Sequence, residues 1–143
     1  MNWMLMPLKR YADFAGRSRR KEYWMFFLLQ VIIYAIVMFV GGMLLGSSMP
    51  TPSADGTYDQ AASAAMMGAS SGLMLLYLVV ALALLIPSIA VTVRRFHDQD
   101  KSGWLVLLGL IPFVGGLIVL VFMFLEGTRG PNRYGDDPKE GEA

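Results

Sequence analysis

The chain has no cysteine, a single histidine and, across three long stretches, no charged residue. Without cysteine there are no disulfides, thiolate metal sites or thiol nucleophiles. With one histidine, imidazole chemistry is confined to His97. Charged residues are 16% of the total and the net charge is +1, so there is no global basic field of the kind a nucleic-acid binder carries. No glycine-rich phosphate loop follows a strand pattern, and no zinc-type ligand spacing occurs. The apolar stretches hold no buried acid or base for a proton relay, and no inverted repeat is visible. Both absences argue against a pump or a proton-coupled transporter.

What is present is apolar: 55% of the 143 residues are hydrophobic, in a length that suits one domain. The runs are Tyr23 to Leu45, Leu73 to Val93 and Trp104 to Leu125. Each is long enough to cross a hydrocarbon core of ~30 Å as a helix, which takes about 20 residues. The first exceeds the apolar core of a cleavable signal and reads as an uncleaved span. The expectation is an all-α integral membrane protein, three transmembrane helices preceded by a short amphipathic N-terminal segment.

Lysines and arginines set the threading. Residues 1–22 carry Lys9, Arg10, Arg17, Arg19, Arg20 and Lys21; the loop 46–72 carries none; the loop 94–103 carries Arg94, Arg95 and Lys101. This alternation places the N-terminus in the cytoplasm, the 46–72 loop outside, and the 94–103 loop inside. Spans then cover 23–45, 73–93 and 104–125, with a tail at 126–143. Pro112 and the Gly115-Gly116 pair interrupt the third run, so a kink at Pro112 is expected. A straight, kinked span puts the tail outside. The alternative, a re-entrant hairpin turning at Pro112, returns it to the cytoplasm but needs protein around its loose backbone. The length of the run favours the single crossing.

Met4, Leu8, Tyr11 and Ala15 fall at helical spacing and suggest an amphipathic helix on the inner membrane face. Ser18 is a candidate N-cap for the first span. The outer loop is rich in Ser, Ala, Gly and Pro and reads as flexible to about Asp59, with Gln60 to Met67 able to extend the second span as helix. Gly42 with Gly46, and Gly109, Pro112 and Gly116, form small-residue faces that suit close helix packing within the bundle or self-association.

Two stretches are expected on the same side: "GRSRRKEYW" (16–24) and "RRFHDQDKSGW" (94–104). Trp24 and Trp104 suit the membrane interface. Arg17, Arg20, Arg94 and Arg95 flank the span ends, where each basic residue near an anionic surface is worth about 1 kcal/mol. Glu22, Asp98 and Asp100 lie among these cations. Pairing of Glu22 or the aspartates with arginines of the other stretch would clamp the first span to the next two. A metal site at His97, Asp98 and Asp100, helped by Asp13 or Glu22, would be opposed by the nearby arginines. A His97–Asp98 catalytic pair lacks a nucleophile beyond Ser102 or Ser18. No metal, cofactor or catalytic set is expected.

These stretches, together with "GPNRYG" at 130–135, resemble the bacterial inner-membrane proteins of the YhaH type, the domain-of-unknown-function family numbered 805. The resemblance rests on Gly-Arg-x-x-Arg-x-Glu-Tyr-Trp at 16–24, Arg-Arg-x-His-Asp with Ser-Gly-Trp at 94–104, and the tail motif with Asn132, Arg133 and Tyr134. It covers nearly the whole chain apart from the outer loop. Departures are Phe96, where leucine is more usual, and Asp136 in the tail. The resemblance implies a small polytopic bacterial inner-membrane protein of unassigned activity. If the tail motif works with the other two it must reach their face, which favours the hairpin. Function is expected to be non-enzymatic: binding of anionic headgroups or a membrane-protein partner through the cytoplasmic charged rim. One alternative is an enzyme acting on a lipid headgroup with His97 and Asp98, and another is a homo-oligomeric pore.

Overall fold

The computed structural model describes residues 3–47 and 49–140, and the described residues form helices with no strand. In chain order the elements are α1 (Met6–Lys9), α2 (Arg20–Ser47), α3 (Gln60–Asp98), a 3-10 segment (Gly103–Leu110) and α4 (Gly115–Phe124). The chain divides into two compact units, Met1–Leu29 with Leu84–Ala143, and Gln30–Ala83.

Helices α2 and α3 are long and apolar enough to cross a membrane. The core helix of a soluble protein passes the same test of length and composition but hides its side chains. Here Phe39 is 69% exposed, Met43 64% and Leu75 61%. Within the 30–83 unit the helices approach closely at Gly41, where any side chain would run into Leu73. The ring of Tyr34 packs on Tyr77 at 5.2 Å between centroids.

The third apolar run corrects the expectation of one kinked span over 104–125. It folds as two short arms, the 3-10 segment and α4, packed against each other. At about 2.0 and 1.5 Å rise per residue, each arm reaches roughly 15 Å, half of a hydrocarbon core. Pro112 starts the reversal. Phe113 turns through the left-handed region at φ 65°, and the N–H of Gly115 donates to the carbonyl of Ile111 at 3.0 Å. Gly115 is required because a Cβ there would strike the carbonyl oxygen of Leu108. Gly109, Pro112 and Gly116, expected on one helix face, therefore do not share one.

Other boundaries shift for local reasons. α3 begins at Gln60, so the connection between α2 and α3 is shorter than the expected 46–72. At its other end α3 continues through Arg94 to Asp98, shortening the 94–103 connection. It closes in a Schellman motif: Lys101 N–H donates to the Phe96 carbonyl, Asp100 N–H to the His97 carbonyl, and Asp100 takes φ 55°. The turn is thus made at Gln99–Asp100, within the 94–103 connection expected from sequence. The N-terminal amphipathic helix shrinks to the one turn of α1. Ser18 does not cap α2; its hydroxyl is buried without a hydrogen-bond partner among the described residues, and its N–H donates to the Arg94 carbonyl at 3.1 Å.

Candidate functional site

The charged stretches converge within the unit formed by residues 1–29 and 84–143. The first α2 turn brings Glu22, the last α3 turns bring Arg94, Arg95, His97 and Asp98, and the tail closes over them. Arg94 lies 3.2 Å from Glu22, with side-chain exposures of 0% and 3%. The contact is an ion pair without an aligned hydrogen bond. It joins the two stretches in the pairing that the sequence suggested.

Arg17 is the centre of a second group. Its Nε donates to Asp98 Oδ1 at 3.0 Å. Its Nη1 donates to the carbonyl of Gly130 at 2.6 Å, and its Nη2 to that of Thr128, also at 2.6 Å. The other Asp98 oxygen accepts from Arg95. Arg17, Arg95 and Asp98 are all buried, and their net charge is one positive. Carbonyl dipoles, and Asp137 at 3.9 Å from Arg17, offset that excess. Asp137 is held below the usual carboxylate range because its oxygens accept from the N–H groups of Lys139 and Gly130. Removing one member of such a buried group strands the others, which is why it commits the chain to this arrangement.

The same side chains cap helix ends. The last carbonyls of α4 have no partner within the helix and carry the negative end of its dipole. Gln99 donates to the Phe122 carbonyl at 2.7 Å, Arg20 to that of Phe124 at 3.2 Å, and Arg95 to that of Leu125. The tail in turn caps α3. Thr128 N–H donates to the Asp98 carbonyl at 2.8 Å, the Asn132 amide to that of His97 at 2.9 Å, and Arg133 to that of Asp100 at 2.7 Å. Gly127 is needed where the tail crosses, since a Cβ would collide with the Asp98 carboxylate.

His97 has a different environment. Its Nδ1 lies 3.2 Å from the Gly16 carbonyl. Its ring stacks on Tyr134 at 3.8 Å and an interplanar angle of 4°, and Arg133 covers the Tyr134 ring at 4.9 Å. Burial pushes the imidazole pKa down, against the raising effect of the Gly16 bond. A groove of about 540 Å³ opens beside it.

The structure therefore corrects the idea that Arg17, Arg94 and Arg95 reach headgroup phosphates, because all three are enclosed. Asp98 serves arginines and not His97, and Asp100 ends a helix and pairs with exposed Arg133 at 3.1 Å. Trp24 packs on Phe124 at 4.5 Å, while Trp104 is 78% exposed at the groove. Among the described residues no three metal-ligating side chains converge. Sequence reasoning missed Gln99, Gly127, Thr128 and Asp137. The only signal was that a tail dense in Gly, Asn and Asp followed an apolar run ending in charge.

Comparison with known proteins gives a consistent picture. Residues 11–136 match the family described as Protein of unknown function (DUF805). The Inner membrane protein YhaI of Escherichia coli strain K12 is 43% identical over 141 residues, covering 99% of this chain and 98% of that protein. The Inner membrane protein YhaH of the same strain is 41% identical over 139 residues, covering 97% and 98%. No solved structure matches. The three motifs that interlock around Arg17 and Arg94 lie within the matched region, and the chain belongs to this DUF805 family of bacterial inner-membrane proteins.

Proposed function

We propose that the chain is a multi-pass, non-enzymatic component of the inner membrane, with its N-terminus in the cytoplasm and a cytoplasmic face that binds anionic headgroups. α2 and α3 cross, and the 3-10 segment with α4 enters and returns without crossing. The observation that carries this is the enclosure of Arg17, Glu22, Arg94, Arg95 and Asp98. Side chains spent on one another make a rigid cap and offer no reagent to a substrate. The basic residues left exposed in the same unit are Lys9, Lys21, Arg129, Arg133 and Lys139, and of these Arg133 is engaged with Asp100. Each of the others adds about 1 kcal/mol near an anionic leaflet.

The enzymatic alternative needs Asp98 to orient His97. Nδ1 of His97 faces the Gly16 carbonyl instead, and nothing in the geometry favours a turnover reaction.

The test is lipid retention. Full-length protein in mixed vesicles of phosphatidylethanolamine and phosphatidylglycerol is extracted gently, and its bound lipid is quantified. Enrichment of the anionic lipid is expected, and should fall several-fold when Lys9, Lys21, Arg129 and Lys139 are all changed to Gln. Equal retention by both proteins, with unchanged thermal unfolding, would remove the headgroup reading.

A further inference from the structure

The groove beside His97 has the features of a built ligand site. Its walls are apolar, formed by Ile89 and Val93 of α3 and Leu107 of the 3-10 segment, and His97, Tyr134 and Ser102 supply its polar end. Its volume of about 540 Å³ is typical of sites that enclose a small molecule.

The polar end is prepared for one kind of group. With Nδ1 donating to the Gly16 carbonyl at 3.2 Å, the neutral imidazole presents a lone pair at Nε2. Nε2 has no partner among the described residues. Gly103 keeps it uncovered, because a Cβ there would stand 2.9 Å from Nε2 and 2.6 Å from Val93 Cγ1. The parallel stack on Tyr134 fixes the ring plane, so little rotamer freedom is lost on binding. The Ser102 hydroxyl accepts from Trp104 N–H at 3.4 Å and keeps its own proton to donate. An acceptor at Nε2 beside a hydroxyl donor matches a hydroxyl group. Arg133, which covers the Tyr134 ring and pairs with Asp100, acts on the imidazole through its charge, and that disfavours an ammonium there.

The mouth also indicates the source of the occupant. Trp104 at 78% and Leu107 at 50% exposure continue the groove into the apolar exterior of the unit. A ligand entering there brings an acyl chain.

We infer that this groove binds one phospholipid with a glycerol headgroup, the acyl chain along Val93 and Leu107 and a headgroup hydroxyl on His97 Nε2. This names a lipid for the cytoplasmic face and rests on the membrane-face proposal above.

The experiment compares two lipids of equal charge. Full-length protein is loaded with phosphatidylglycerol or phosphatidylethanol, which differ in the headgroup hydroxyls, and retained lipid is counted by native mass spectrometry. A hydrogen bond to an otherwise unpartnered acceptor predicts about three- to tenfold preference for phosphatidylglycerol. His97→Phe preserves a ring against Tyr134 and should bring the preference to within about twofold. Gly103→Ala, which fills the site without touching the charged cap, should do the same and covers the case in which the histidine variant fails to fold. Equal retention of the two lipids by the unaltered protein, or a preference that survives both substitutions, overturns the inference. The Lys9, Lys21, Arg129 and Lys139 variant separates the two proposals. It should weaken both lipids equally while leaving their ratio intact. A ratio that persists without any anionic enrichment would sink the surface proposal alone.

Discussion

The second and third apolar runs each contain a proline, and the chain treats them oppositely. Around Pro87, α3 continues unbroken from Gln60 to Asp98. At Pro112 the third run reverses into a hairpin. Proline removes one backbone donor and crowds the preceding turn in either place, so proline is not what separates them. The neighbours are. Leu84, Pro87, Ala90, Val91, Arg94, Arg95 and Asp98 are buried at helical spacing, which holds α3 in register through the defect. Ser88 donates its hydroxyl to the Leu84 carbonyl at 2.5 Å and Thr92 to the Ser88 carbonyl at 2.7 Å. The third run has no such face: of α4 only Gly115 and Met123 are buried. Two glycines follow its proline, and its far end is drawn back by capping side chains. A proline breaks a membrane helix where packing does not oppose it and where something rewards the return.

The largest test removes that reward. Asp98→Ala leaves Arg17 and Arg95 enclosed without their shared counter-charge, and loss of one partner from a buried ionic group costs about 3–5 kcal/mol. Thermal unfolding in neutral detergent should drop sharply, and Asp98→Asn, which keeps the shape, should fall between. An Asp98→Ala protein as stable as the parent would mean that the hairpin holds itself.

The next acts on the reversal directly. A methyl at Gly115 meets the Leu108 carbonyl, and overpacking of this kind costs about 1–3 kcal/mol. The absence of native cysteine allows single probes. In the parent, Ser102→Cys and Lys139→Cys should label from one side of the membrane and Ser53→Cys from the other. With Gly115→Ala added, the Lys139→Cys probe should show mixed accessibility. Opposite-side labelling of positions 102 and 139 in the parent would restore the straight span.

Much of the comparison was legible beforehand, and its failures are physical. Hydrophobic run length located the three apolar stretches, and the mixture of signs at Glu22, Arg94, Arg95 and Asp98 pointed to pairing across the charged segments. The choice between span and hairpin was not legible from run length, because two half-length arms look like one full-length helix in composition. What decided it was long-range: Arg17 bound to tail carbonyls more than a hundred residues away, and Gln99, Arg20 and Arg95 on the end of α4. The uses of carbonyl groups leave no trace in side-chain identity, so Gly127 and Thr128 passed as loop. The roles of His97, Asp98 and Asp100 also diverged, although they stand within four positions, because a helix terminus sends adjacent side chains in different directions.

Ser88→Ala is a smaller probe of the intact run. It deletes the hydroxyl bond to the Leu84 carbonyl, worth about 0.5–1.5 kcal/mol. The helix should persist, with faster hydrogen exchange at residues 86–90 than in the parent. An unaltered exchange pattern would assign the tolerance of Pro87 to burial alone.

The smallest effects come from the two residues in the left-handed region, Asp100 after α3 and Phe113 at the hairpin tip. An L-residue pays roughly 1–2 kcal/mol there, less for Asp, whose short polar side chain tolerates it. Phe113→Gly should stabilise by about 1 kcal/mol, since the ring is 98% exposed and loses no packing within the chain. Asp100→Gly gains less and also loses the pair with Arg133, whose members are 59% and 47% exposed, a contact worth about 0–1 kcal/mol. The bond from Arg133 to the Asp100 carbonyl survives because it uses backbone. Glycine at 113 should therefore raise the unfolding temperature and glycine at 100 barely change it. The reverse order would place the strain of these turns at the end of the continuous helix and not at the tip of the broken one.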